Sequence, residues 1–229
     1  MRRRARDDAG VTLAETLVVM MLMGVVGALV LSFALLVQSK VSSSQVMNEN
    51  TNQASAATNE ITRLLRGAVT LKVRAQPDSP AFVEADATSM TFYTVVDTDP
   101  MTTPPMLVRL EVTATGDLVE KRWLVNPTSS DPFWTFPATT QTPSSSRVVA
   151  RGMMATPGSG KALFTYLSYD ADGNEVPVAG TGALTKQQRA AVGAVRVDAE
   201  AQTGTRARST LVTTLVGLRN LPAGSHGAH

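Results

Sequence analysis

A nearly unbroken apolar run from Thr16 to Val37 constrains this chain more than any other feature. The run is about 22 residues long, enough to cross a hydrocarbon core of about 30 Å as a helix. A basic leader, Met1 to Gly10, precedes it, and a single acid, Glu15, stands at its threshold. A carboxylate at the edge of a membrane span costs free energy unless it is paired or held at the interface, so Glu15 marks a functional position. An ordinary secretory signal has an apolar region of only about 7–15 residues, with a small-residue cleavage site behind it. Here the run is longer and would stay in the mature protein. Arg2, Arg3, Arg4 and Arg6 outweigh Asp7 and Asp8, so the positive-inside rule puts that side in the cytoplasm and everything after about Gln38 outside. A plain signal anchor with an incidental Glu15 is the competing reading. A soluble buried helix fits less well, because the run is too long and too uniformly apolar.

Beyond the span, the 229 residues leave room for one extracytoplasmic domain of about 150 residues, an ordinary size for a single core. Cysteine is absent, which excludes disulfides and thiolate metal sites. An exported domain without them relies on its core or on assembly with partners. The formal charge of +2 resides in the leader, and without its arginines and aspartates the side chains are near neutrality. Charge therefore gives no reason to infer nucleic-acid binding.

No proline interrupts the chain from Val11 to Gln76. Apolar residues recur at Val41, Val46, Met47, Ala54, Ala57, Ile61, Leu64, Leu65 and Ala68, which is helical spacing. One helix is predicted from about Thr12 to Arg66, on the order of 80 Å long, with Gly67 as its C-terminal stop. Its Ser- and Asn-rich second half has weak intrinsic propensity and needs packing to stay helical. Gly24 and Gly27 either let neighbouring helices approach or are simply tolerated. From Ala68 the pattern changes to short β-like runs: Thr70–Ala75, Ala81–Ala85, Met90–Val96, Leu107–Thr113, Val119–Val125, Arg147–Arg151, Ala162–Tyr169, Ala194–Ala201 and Ser209–Leu218. Ala114 to Asp117 reads as a hairpin turn, Asn126 to Ser146 as a long Pro-, Ser- and Thr-rich surface loop, and Leu184–Ala191 as one short helix. Residues 222–229 read as a disordered tail. The fold class is α+β.

The hexapeptide Gly10-Val11-Thr12-Leu13-Ala14-Glu15, ahead of the apolar run, resembles the processing site of type IV prepilins: Gly, a hydrophobic residue, then Thr-Leu-x-Glu. The resemblance implies that a membrane aspartyl prepilin peptidase cuts after Gly10 and that Val11 becomes an N-methylated terminus. It makes Glu15 the fifth mature residue, the acid that pilins and pseudopilins share. In a filament that acid pairs with the Val11 amine of a neighbouring subunit. The first mature residue of the family is often Phe, and here it is Val11. The implied fold is pilin-like: residues 1–10 as leader, 11–67 as the N-terminal helix (transmembrane at about 16–37), and 68–221 as an antiparallel β-sheet head packed on its second half.

Phe164-Thr165-Tyr166 followed by Tyr169-Asp170-Ala171-Asp172-Gly173 resembles a segment of larger minor pilins, of the PilW type and the J-type pseudopilin of type II secretion. The short Leu184-Thr185 segment, the strand at Ala194–Val197 and the late Leu218-Arg219-Asn220 extend that likeness. The implied function is that of a minor pilin or pseudopilin, a structural subunit of a type IV pilus or of a type II secretion-like or DNA-uptake filament. It would prime assembly or sit at the tip. Its partners would be prepilin peptidase, other pilin subunits and the cytoplasmic membrane. The alternative is a membrane-anchored extracytoplasmic binding protein, an adhesin or DNA-capturing subunit whose head holds DNA or a surface ligand.

Other chemistry is sparse. Asp170, Asp172 and Asn174 cluster oxygen atoms and invite a calcium reading, but without the spacing or the distant bidentate Glu of an EF-hand; Asp-Gly here is first a turn signal. Asp97-Thr98-Asp99-Pro100 is another turn. His226 and His229 are the only histidines and lie in the tail. No nucleophile triad, P-loop or dinucleotide fingerprint is present, so no enzyme, cofactor or small-molecule substrate is expected. Trp123, Phe133, Trp134 and Phe136 either cover the core or anchor a partner.

Overall fold

With no proline to stop it, the backbone stays helical from Leu13 to Arg66, forming α1 in a computed structural model that describes residues 12–75, 77–96, 103–178, 182–204, 208–218 and 221. The chain divides into two compact units, Met1–Gln45 and Val46–His229. In the first unit every residue of α1 from Leu13 to Gln45 is exposed. The helix is long and apolar enough to cross a membrane, with a stretch of mean hydropathy 2.6.

In the second unit α1 buries Asn50, Ala54, Ala57, Thr58, Ile61, Leu64 and Leu65, a stripe at three- and four-residue spacing. Val41 and Met47 share that spacing in the sequence yet are exposed. Periodicity marks a face but does not say whether anything covers it. Gly67 ends the helix as expected, though not through a left-handed backbone, since its φ is not positive. A Cβ there would fall 2.2 Å from the Val95 carbonyl oxygen. Glycine is needed because the chain leaves the helix directly against the end of a strand.

Strands β1 (Phe82–Ala85), β2 (Ser89–Thr94), β3 (Met106–Val112), β4 (Leu118–Trp123) and β5 (Ser145–Ala150) form an antiparallel meander. Strands β6 (Phe164–Tyr169), β7 (Glu175–Pro177), β8 (Ala194–Ala201) and β9 (Thr210–Gly217) form a second antiparallel sheet in the order β7-β6-β8-β9. Helix α2 (Lys186–Ala190) precedes β8. One long N-terminal helix and two antiparallel sheets make an α+β arrangement.

Alternation sets each sheet's inner face. Met90, Phe92, Val108, Leu110 and Leu118 from the first sheet meet Phe164, Tyr166, Val195 and Val197 from the second, and Ile61, Leu64 and Leu65 of α1 belong to the same core. The sheets are also joined through backbone. The Leu163 and Phe164 N–H groups donate to the Ala87 carbonyl, and Gln202 N–H donates to that of Gly152. The buried Tyr166 hydroxyl donates to the Asp86 carbonyl at 3.0 Å. Burial and the Asp86 charge push its pKa well up, outweighing that hydrogen bond, so it stays a neutral donor.

Two expectations need correction. Thr70–Ala75 is not a strand; Leu71 makes an isolated bridge to Ser79, and the chain turns at Arg74 and Ala75, where Ala75 has φ 57°. Strand β7 had no counterpart in the sequence reading because its three residues are all exposed and carry no alternation. The Ala114–Asp117 hairpin joins β3 to β4 with Gly116 at φ 81°. The short helix at Leu184–Ala191 forms at Lys186–Ala190, capped by Thr185 and Gln188. Asp97–Pro100, residues 222–229 with His226 and His229, and Arg219 and Asn220 lie outside the described residues.

Gly67→Ala should destabilise the head by about 3 kcal/mol, because backbone must move to admit the methyl group. Gly173→Ala, at φ 81° but in open space, should cost only about 1 kcal/mol. Urea unfolding of the full chain in detergent compares the two, and equal losses would refute the close-approach account of Gly67.

Candidate functional site

The first turn of α1 is fixed by Thr12. Its carbonyl accepts from Thr16 N–H at 3.1 Å and its hydroxyl oxygen accepts from Glu15 N–H at 3.3 Å. That second bond is a side-chain N-cap, and Glu15 stands in the turn where the helix dipole favours an acid. Thr-x-x-Glu is also capping-box spacing, which the sequence reading passed over; of that box the structure shows the Thr12 half. Glu15 is exposed. Gly10 and Val11 lie outside the described residues. Past this turn, Leu17 to Val37 present large apolar side chains on every side of the helix, and a Cβ on Gly24 or Gly27 would meet nothing within 4 Å among the described residues.

The second half of α1 is held by polar groups placed among its apolar stripe. Asn50 is fully buried. Its carbonyl oxygen accepts from Thr203 N–H at 2.7 Å and from the Thr203 hydroxyl at 2.6 Å, while its amide donates to the Arg208 carbonyl at 2.9 Å. One side chain therefore holds both ends of the β8–β9 connection. Gln53 accepts from Arg151 N–H at 2.8 Å, which ties the end of β5 to the same helix.

Farther along, Glu60 of α1 and the buried Glu120 of β4 share two arginines, and Glu60 holds a third. Arg147 reaches both carboxylates at 2.7 Å, Arg122 bonds Glu120 and stands 3.6 Å from Glu60, and Arg63 bonds Glu60. The hydrogen bond from Arg63 holds the Glu60 carboxyl below its usual range, outweighing burial, with Arg147 adding to it. Sequence reading missed this set. Asn50 and Glu60 show in the sequence only as polar residues on or beside an apolar stripe, and nothing local names their partners.

Asp170 makes a turn. One carboxylate oxygen accepts from Asp172 N–H at 3.0 Å and Asn174 N–H at 2.8 Å, and the other accepts from the Asn174 amide at 3.2 Å. The N–H of Asn174, the strongest influence, keeps its pKa low. Of the calcium candidates Asp170, Asp172 and Asn174, the Asp170 carboxylate and the Asn174 amide thus bond within the β6–β7 hairpin, and Asp172 joins through its backbone N–H. Among the described residues no group of three or more His, Cys, Asp or Glu is placed to hold a metal ion.

The loop between β4 and β5 covers the outer face of the first sheet. Trp123 is buried and donates its indole N–H to the Gln141 carbonyl at 3.0 Å. Phe136 packs on Tyr93 with ring centroids 5.2 Å apart. Phe133 is 40% exposed and, with Trp134, lines an open groove of about 610 Å³. Trp123 at the end of β4 serves as cover, while Phe133, Trp134 and Phe136 of the loop line the groove, Phe136 also packing on Tyr93. Farther along the same face, Arg109 bridges Glu84 and Glu111, and Lys121 reaches Glu111. Comparison with protein-family models and with curated proteins gives no match.

Asn50→Ala should cost the head about 2 kcal/mol, because it removes three hydrogen bonds of a fully buried side chain and strands two part-buried donors and a carbonyl. Denaturant unfolding in detergent measures this, and a loss no larger than that of an exposed-site control would refute the clamp. Glu60 has a lowered folded pKa, so its stabilising contribution is complete above the unfolded value of 4.5 and disappears as pH falls through the folded one. The wild-type unfolding midpoint should hold down to about pH 4.5 and decline below it, and Glu60→Gln should decline less steeply.

Proposed function

We propose that this chain is a minor pilin or pseudopilin, a non-catalytic subunit of a type IV pilus or related secretion or DNA-uptake filament. The observation that carries the reading is the first part of α1. It is apolar on every side and exposed, and it begins with one acid in its first turn. Such a surface requires lipid or neighbouring helices around it. The prepilin-like hexapeptide, the continuation of the helix into a buried stripe and the antiparallel sheets support the same reading.

On this reading the arginine-rich leader stays in the cytoplasm, α1 crosses the cytoplasmic membrane once, and the head lies outside. Cleavage after Gly10 frees the Val11 amine. In the filament, Glu15 of one subunit pairs with that amine on the next. Two charges in an apolar bundle are each costly alone, and pairing offsets part of the desolvation. The pair therefore selects the axial register between subunits more than it adds affinity.

Mass spectrometry of the membrane-extracted protein tests the route. A chain beginning at N-methylated Val11, only when prepilin peptidase is present, is the expected result; an intact leader or cleavage beyond the apolar run would overturn it. Gly10→Leu should block processing. Glu15→Ala should leave insertion and cleavage intact but cut incorporation into filaments by about tenfold or more, since the amine loses its partner. Loss of filaments on deleting the gene would indicate priming, whereas intact filaments that no longer bind their target would indicate a tip binder.

A further inference from the structure

The groove under the β4–β5 loop has no part in the fold's core or in the proposed assembly. Phe133 and Trp134 line it. The connection after α1 contributes Lys72 and Arg74 to the same lining, both exposed and without an ion-pair partner among the described residues. Asp131 stands with Lys72 in a neighbouring recess that shares Trp134. The groove thus combines uncovered aromatic surface with unpaired positive charge.

We propose that this groove docks an extended segment of a partner protein in which an acidic residue lies beside an aromatic or aliphatic anchor. The anchor fills the space against Phe133 and Trp134, where buried aromatic contacts contribute most to binding. The carboxylate meets Lys72 and Arg74, so charge complementarity selects for acid at that position. The groove volume of about 610 Å³ suits a few side chains. A nucleic-acid strand suits it less well. Such binding draws on many phosphate contacts, and here two cations share the surface with Asp131. The proposal does not depend on the filament reading, because it concerns the head alone.

A random-peptide library panned on the full-length chain in detergent tests it. Enriched sequences should pair Asp or Glu with Trp, Phe or Leu. The best of them, fluorescein-labelled, should lose about tenfold or more in affinity to the Lys72→Glu/Arg74→Glu chain and to Trp134→Ala. Lys186→Glu, on α2 and outside the groove, should bind as the wild type does. The charge reversals lie at exposed positions, so unfolding midpoints equal to wild type are expected and make the comparison direct. Enrichment without acids would overturn the proposal, as would peptide affinity indifferent to the charge reversal. Tighter binding of an oligo-dT strand, lost in the same variant, would overturn it in favour of nucleic acid.

Discussion

The head depends on the burial of one helix face, Asn50 to Leu65. Two sheets each present an apolar side, and the stripe of α1 joins both in one core. Small side chains at Ala54 and Ala57 let backbone approach closely, and Ile61, Leu64 and Leu65 fill the space beyond. Apolar contact alone would fix the face but leave the helix free to slide or rotate slightly. Asn50, Gln53 and Glu60 remove that freedom, because hydrogen bonds and ion pairs are satisfied at one register only.

The charge set around Glu60 and Glu120 shows the cost of that specificity. Glu120 is buried on β4, and a buried carboxylate is tolerable only when paired. Arg122 and Arg147 pair it from β4 and β5, and Arg147 also reaches the helix through Glu60. Whether such a set adds net stability over an apolar one is a separate matter from what it does here, which is to key helix to sheet. The exposed first half of α1 obeys an opposite rule. From Leu17 to Val37 its large side chains are apolar and exposed.

Much of the architecture was legible in the sequence. The absence of proline, the apolar run and the three–four spacing placed α1 nearly residue for residue. Alternating Val, Thr and aromatic residues located most strands, and Asp-Gly and Thr-Gly-Asp located hairpins. Reading failed where the signal was tertiary. Thr70–Ala75 has strand composition, but it makes one isolated bridge, Leu71 to Ser79, before the chain turns. Strand β7 has little composition at all and exists because the Asp170 turn folds it onto β6. In the candidate site, Glu15 was visible from its isolation in an apolar context, whereas its capping bond with Thr12 was overshadowed by that same context.

The sequence by itself determined local and periodic properties: where the chain is helical, which stretch demands a non-aqueous surrounding, which residues alternate and where the backbone turns. These follow from steric preference and hydrophobic periodicity, which act over a few residues. Only the tertiary structure decided that Asn50 clamps the β8–β9 connection, that Glu60 and Glu120 share Arg122 and Arg147, that Gly67 is required by a carbonyl 28 residues away in the chain, and that Lys72 and Arg74 line one groove with Phe133 and Trp134. Each of these joins residues far apart in sequence. Their partners are chosen by sheet register and packing, which no local pattern encodes.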